Sequence, residues 1–162
     1  MVIGAIFAGG IGSRMGSADM PKQYLQLGSK PIIVHTIEKF VVNPGIDRII
    51  VLCPKAWIAH TKDLVKKYLG EAIAEKINVV EGGSTRNGTL ENALKFINEN
   101  FAIDDDSVIV THDAVRPFVT HRIIDENIEA AKKYGACDTV IPATDTIVRS
   151  EDSENVSSIP TR

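Results

Sequence analysis

Val2-Ile3-Gly4-Ala5-Ile6-Phe7-Ala8-Gly9-Gly10 stands almost at the start of the chain, and its reading decides the fold. Six apolar residues run without polar alternation and stop at two glycines. That pattern is a strand covered on both faces, as in a parallel sheet, feeding a loop. The same signal recurs downstream. Asp47 to Cys53 carries Ile49-Ile50-Val51-Leu52 and stops at Pro54; Ile77 to Val80 runs into Gly82-Gly83; Ser107 to Thr111 holds Val108-Ile109-Val110. Cys137 to Ile141 reads as a fifth strand.

Helical periodicity fills the gaps. Pro31 to Val42 opens with proline in its first turn and stops at Asn43-Pro44-Gly45. Ile58 to Leu69 is the next helix. Thr85 to Phe101 repeats Leu90, Ala93, Leu94, Ile97 and Phe101 at helical offsets. Thr120 to Tyr134 begins at a threonine whose hydroxyl can accept from first-turn amides. Alternating strands and helices predict an α/β, Rossmann-like, mostly parallel sheet with helices on both faces. Asp145–Arg149 and Val156–Ile159 suit a hairpin around polar residues 150–155. The whole reads as one domain over residues 1–162, with residues 143–162 as the start of a β-arm. Ser158 to Arg162 makes no closing element, so the chain reads as truncated there.

The 162 residues carry 18 basic and 21 acidic side chains, net −3, without the basic excess of nucleic-acid binders. No stretch reaches the ~20 apolar residues of a membrane helix. Cys53 and Cys137 sit in apolar runs and read as buried small hydrophobes. Two lone thiols and no signal peptide suit the cytoplasm.

In such sheets ligands bind beyond the carboxyl ends of the strands. The loop after the first strand, Ala8-Gly9-Gly10-Ile11-Gly12-Ser13-Arg14-Met15-Gly16, is glycine-rich, so backbone amides can approach phosphate oxygens. It is not a dinucleotide fingerprint, because Met15 fills the third glycine slot and the second strand ends without an acid. Nor is it a Walker A loop, because no Gly-Lys-Ser/Thr is present. Arg14 and Lys22 lie eight residues apart and can clamp a polyphosphate from opposite sides. Taken alone, the glycines also suit a turn and the cations a solvated surface. Gly82 to Thr89 suits a glycine turn plus a helix cap as well as a ligand loop. Asp113, just past the fourth strand, suits a turn cap as well as a Mg²⁺ ligand.

Gly9 to Gly16 reads G-G-x-G-x-R-M-G, and Pro21 to Tyr24 reads P-K-Q-Y. Together they resemble the opening signature of the nucleotidyltransferases, most of all the cytidylyltransferases acting on methylerythritol phosphate and ribitol 5-phosphate. The resemblance covers the whole chain and implies CMP transfer from CTP to a polyol phosphate with release of pyrophosphate. It implies that Arg14 and Lys22 are catalytic, and that Phe7, Ala8, Gly9, Gly10 and Gly12 meet the nucleotide. Gly82, Gly83, Ser84, Thr85, Arg86, Asn87, Gly88 and Thr89 would hold the base and ribose, with the Thr89 hydroxyl reading the base edge. Thr111 to Pro117 matches the family's H-D-A-x-R-P segment. It makes Asp113 the Mg²⁺ ligand and Arg116 an acceptor contact, and adds His112 to the nucleotide set, although the chemistry needs no general base. Thr146 is implied at the acceptor polyol. Arg162 is implied as the arm arginine of a homodimer.

Phe7, Arg86-Asn87-Gly88-Thr89 and Thr111 to Val115 look most like the ribitol 5-phosphate enzymes of teichoic-acid synthesis, with Asn87 and Thr89 departing from the Gln and Ser of the methylerythritol enzymes. The methylerythritol phosphate enzyme is the alternative acceptor reading. A non-catalytic CTP-binding fragment is the rival from another class. The resemblance also implies that about a third of the usual chain, with a second metal Asp and an acceptor Lys, is missing here.

Overall fold

The computed structural model describes residues 1–10 and 20–160. Its centre is a parallel sheet of four strands: β1 (Val2–Phe7), β4 (Arg48–Cys53), β5 (Ile77–Glu81) and β6 (Val108–Asp113), in the order β5-β4-β1-β6. These are the first four apolar runs of the sequence, within a residue or two. A small antiparallel pair, β2 (Gln26–Leu27) and β3 (Lys30–Pro31), precedes α1 (Ile32–Val41). Then come α2 (Ile58–Leu69), the single turn α3 (Glu71–Ala74), α4 (Arg86–Asn100) and α5 (His121–Tyr134).

Strand side chains alternate between faces, so each face builds its own core. Ile3 and Ala5 of β1 join Ile50 and Leu52 of β4 against Ala93 and Ile97 of α4. Val2 and Ile6 join Ile49 and Val51 against Ile37 and Phe40 of α1, Val65 of α2 and Ile124 and Ile128 of α5. Helices therefore cover both faces, as expected. Gly4 lets α1 come close, since a Cβ there would lie 2.6 Å from the Phe40 ring. α4 is capped by Thr85, whose hydroxyl accepts from the Gly88 amide, and α5 by Thr120, whose hydroxyl accepts from the Ile123 amide.

The chain moves outward from β1 to β4 and β5, then returns to place β6 on the other side of β1. The strand order therefore reverses between β1 and β6, which is where open α/β sheets form ligand crevices. Phe7 and Asp113 are register partners at that point.

Two expectations need correction. Residues 137–141 form no strand: Val140 is 79% and Ile141 86% exposed. The segment is tied to α5 instead, through the Cys137 thiol to the Asn127 carbonyl and Asn127 Nδ2 to Thr139 Oγ1 at 2.7 Å. A β-branched run becomes a strand only beside another strand edge, and no described residue pairs with this one. Cys137 is accordingly exposed, whereas Cys53 is buried as expected. The hairpin is reduced to one antiparallel bridge, Arg149 with Ser158. Its turn is held by Asp152, which accepts from the backbone amides of Glu154 and Asn155.

Candidate active site

A cleft of about 320 Å³ opens at the carboxyl end of β1. Its floor is Phe7, Ala8, Gly9 and Gly10; its walls are Lys22 with Gln23, Gly83 to Arg86 with Thr89, and Asp113 with Val115. Eleven of the residues singled out in the sequence meet there, although they come from four separate loops.

The floor is pinned by hydrogen bonds. The Ala8 amide donates to the Leu52 carbonyl at 2.7 Å, and the Ala114 amide donates to the Phe7 carbonyl at 2.9 Å. Gln23 is 1% exposed and donates from Nε2 to the Ala8 carbonyl at 2.6 Å. Lys22 and Gln23 lie in a single 3-10 turn, Lys22–Tyr24. The Tyr24 ring stacks on Trp57 at 4.5 Å and its hydroxyl pairs with Thr61 Oγ1 at 2.8 Å. The Lys22 backbone is therefore followed directly by two anchored residues. Burial pushes the Tyr24 hydroxyl pKa well above its ordinary value, against a smaller opposite pull from Thr61, so it stays a neutral phenol.

The wall from β5 to α4 depends on two residues. A Cβ on Gly83 would lie 2.3 Å from the Gly88 carbonyl carbon and 2.6 Å from the Thr89 amide. Thr89 is 4% exposed, and its hydroxyl donates to the Thr85 carbonyl at 2.9 Å and accepts from the Gly83 amide at 3.1 Å. That hydroxyl braces the turn, which spends its proton and leaves it one acceptor lone pair at the cleft wall. Gly82 and Gly88 pack into the same turn, and neither they nor Asn87 line the cleft.

The opposite wall is electrostatic. Arg86 lies over the Phe7 ring, 5.4 Å from its centroid, and pairs through Nη1 with Asp113 Oδ1. Arg116 Nε donates to Asp113 Oδ2 at 2.9 Å. Partial burial raises the Asp113 pKa, but the two arginines pull it further down, so it lies below the usual carboxylate range. His112 turns away: its Nε2 meets the Arg116 carbonyl at 2.9 Å, and its ring packs on Phe40 at 5.5 Å. It shapes the turn that carries Asp113 and Arg116 and does not line the cleft.

A second, larger hollow of about 1100 Å³ runs along β6 and α5. It shares Arg86, Asp113 and Val115 with the cleft and adds His112 and Arg116. The two hollows meet around these three shared residues. Thr146 lines neither. Gly12, Arg14 and Arg162 lie outside the described residues.

No described group of three or more His, Cys, Asp or Glu side chains can hold a metal unaided. No helix among the described residues is long and apolar enough to cross a membrane. Gln23 and Val115 are the cleft residues that sequence reasoning missed. Gln23 lies inside the quoted P-K-Q-Y segment, but nothing in that segment signals burial.

Residues 2–162 match the protein family described as IspD: 2-C-methyl-D-erythritol 4-phosphate cytidylyltransferase. Among solved structures, the chain is similar to a 4-diphosphocytidyl-2C-methyl-D-erythritol synthase from Anaerococcus prevotii DSM 20548 (28% identity, TM-score 0.73, covering 99% of this chain and 63% of that one). A second synthase of that description matches at 25% identity and TM-score 0.73, covering 99% of this chain and 68% of the other. The 2-C-methyl-D-erythritol 4-phosphate cytidylyltransferase of Francisella tularensis matches at 29% identity and TM-score 0.69, covering 99% and 66%. The chain thus spans under two thirds of the first of these, and it shares their α/β fold.

Proposed function

We propose, on the premise that the chain belongs to the 2-C-methyl-D-erythritol 4-phosphate cytidylyltransferase (IspD) family, that it transfers CMP from CTP to a phosphorylated polyol and releases pyrophosphate. The observation that carries this reading is the meeting of the Ala8-Gly9-Gly10 floor, Lys22, Arg86 and Asp113 in one cleft at the reversal of strand order.

Glycine amides and the Lys22 ammonium suit a triphosphate, and Arg14 is proposed as the second cation. An oxygen of the acceptor phosphate attacks the α-phosphorus. The bond from that phosphorus to the bridging oxygen breaks in line, and the electron pair leaves on pyrophosphate. The acceptor oxygen is already an anion, so no side chain has to remove a proton. The protein's contribution is position and positive charge. Arg116, on the larger hollow beside Asp113, suits the acceptor phosphate, because a guanidinium offers two parallel donors.

Asp113 fits a divalent cation carried by the nucleotide, for which we take Mg²⁺. Its carboxylate is held ionised, and both its arginine partners have largely exposed side chains that can be displaced. One carboxylate is enough where phosphate oxygens and water complete the shell. When bound, the ion would offset charge on the triphosphate.

The family match and the solved relatives favour 2-C-methyl-D-erythritol 4-phosphate as acceptor over the ribitol 5-phosphate expected from the sequence. Ribitol 5-phosphate stays as the second reading because Asn87 and Thr89 depart from the methylerythritol pattern and Phe7 before Ala8-Gly9 resembles the ribitol enzymes. Pyrophosphate release from CTP with each acceptor decides between them. A kcat/KM roughly tenfold or more higher with the methylerythritol substrate supports the first reading, and the reverse ratio moves the assignment to ribitol. CTP binding without release from either acceptor sinks the transferase reading.

A further inference from the structure

Among the described residues, Gln23 is the one buried side chain in the cleft with an unused polar atom. Its Nε2 holds the Ala8 carbonyl, while its Oε1 is buried without a partner among the described residues. The assignment of the two atoms follows from chemistry, since a flipped amide would set oxygen against oxygen. A carboxamide so placed gives up one buried acceptor to make one bond, and that bond has a directional consequence. The Ala8 carbonyl and the Gly9 amide belong to one planar trans peptide unit and point in opposite directions. Fixing the carbonyl therefore aims the Gly9 N–H. Among the described residues nothing accepts from that N–H.

We propose that Gln23 is a positioning residue: its clamp on the Ala8 carbonyl turns the Gly9 amide toward an oxygen of the bound nucleotide and fixes that amide relative to Lys22. The inference rests on the cytidylyltransferase reading. Two further observations support it. The Ala8 amide is already tied to Leu52, so Gln23 completes the immobilisation of that residue at both ends. Gln23 also adjoins Lys22 in the turn anchored through Tyr24 on Trp57 and Thr61, so one rigid piece carries both the amide's clamp and the cation.

The test is amide NMR of the 162-residue chain titrated with CTP and magnesium, alongside pyrophosphate release. Gln23→Met keeps the bulk and removes the clamp. It also removes the orphaned Oε1, which limits the loss of stability. Gln23→Asn keeps the amide but falls one methylene short of Ala8. In the wild type, saturation with CTP should shift the Gly9 amide resonance. In both variants that shift should fall by more than half, kcat should drop roughly 10- to 100-fold, and KM for the acceptor should hold. A merely structural role would lower the melting temperature and leave the Gly9 response intact in whatever remains folded, and that result overturns the proposal. So does a wild-type Gly9 amide that stays still while other amides respond to CTP. If CTP shifts no amide at all, the cytidylyltransferase reading itself fails, and this inference with it.

Discussion

The two walls of the cleft are built from different physics. The glycine side consists of backbone held by backbone or by buried polar groups: Ala8 between Leu52 and Gln23, and Gly83 against Gly88 and Thr89. The Asp113 side consists of two arginines, 62% and 73% exposed, gripping one carboxylate. Buried, directional bonds tolerate little displacement, whereas exposed ion pairs are individually weak and rearrange easily. The difference suggests a division of labour. One wall receives the triphosphate in a fixed geometry; the other can exchange its internal partners for ligands.

The largest expected effect falls on the charge that the fixed wall presents. Lys22→Met should lower kcat roughly 100- to 1000-fold, the scale of losing one preorganised group at a charged transition state. Because Lys22 is only partly buried, thermal unfolding should hardly change. Activity within tenfold of wild type would break the claim that this wall does electrostatic work.

A smaller effect tests rigidity itself. Gly83→Ala places a Cβ 2.3 Å from backbone that cannot yield without disturbing the start of α4. We expect destabilisation of about 1–3 kcal/mol, measured by denaturant titration. Gly10→Ala is the control for stability alone, because no described residue lies within 4 Å of its built Cβ. Equal stability of the two variants would mean that the fixed wall is less fixed than its hydrogen bonds imply.

The sequence carried the sheet because β1 and β4 are buried on both faces and read as unbroken apolar runs, while the less buried β5 and β6 keep short apolar runs of their own. It carried the helix cap at Thr120, and the start of α4 near Thr85, because capping is local. It failed at residues 137–141, where Val140 and Ile141 have strand propensity but no strand partner among the described residues. The lining of the candidate cleft was legible where glycines and charged residues follow strand ends, as with Gly9, Lys22 and Asp113. It was not legible where tertiary contacts set the role. Nothing local signals that Gln23 is buried on the Ala8 carbonyl or that the Thr89 hydroxyl braces the Gly83 turn. Arg116 looked like an independent acceptor contact, yet it shares one carboxylate with Arg86, which lies 27 residues before Asp113.

The exchangeable wall yields the smallest effect, and its sign can be worked out. The Asp113 pKa is lowered: burial opposes the charge, but Arg86 and Arg116 outweigh it. A depressed carboxylate contributes stability that is fully present above its unfolded value, about 3.9, and is lost as pH falls through the folded value. Arg116→Gln removes one of the two pulls. The folded pKa of Asp113 should then rise, and the acid limit of its contribution should move to higher pH. At neutral pH the loss of stability should stay below about 1 kcal/mol, because the arginine is exposed and the pair is screened. Carboxyl-carbon NMR of Asp113 across the acid range measures the shift directly, and Arg86→Gln should move it in the same direction. An Asp113 that titrates identically with and without Arg116 would show that the pair does not hold in solution. The contrast between a fixed wall and an exchangeable one would then have to rest on Arg86 alone.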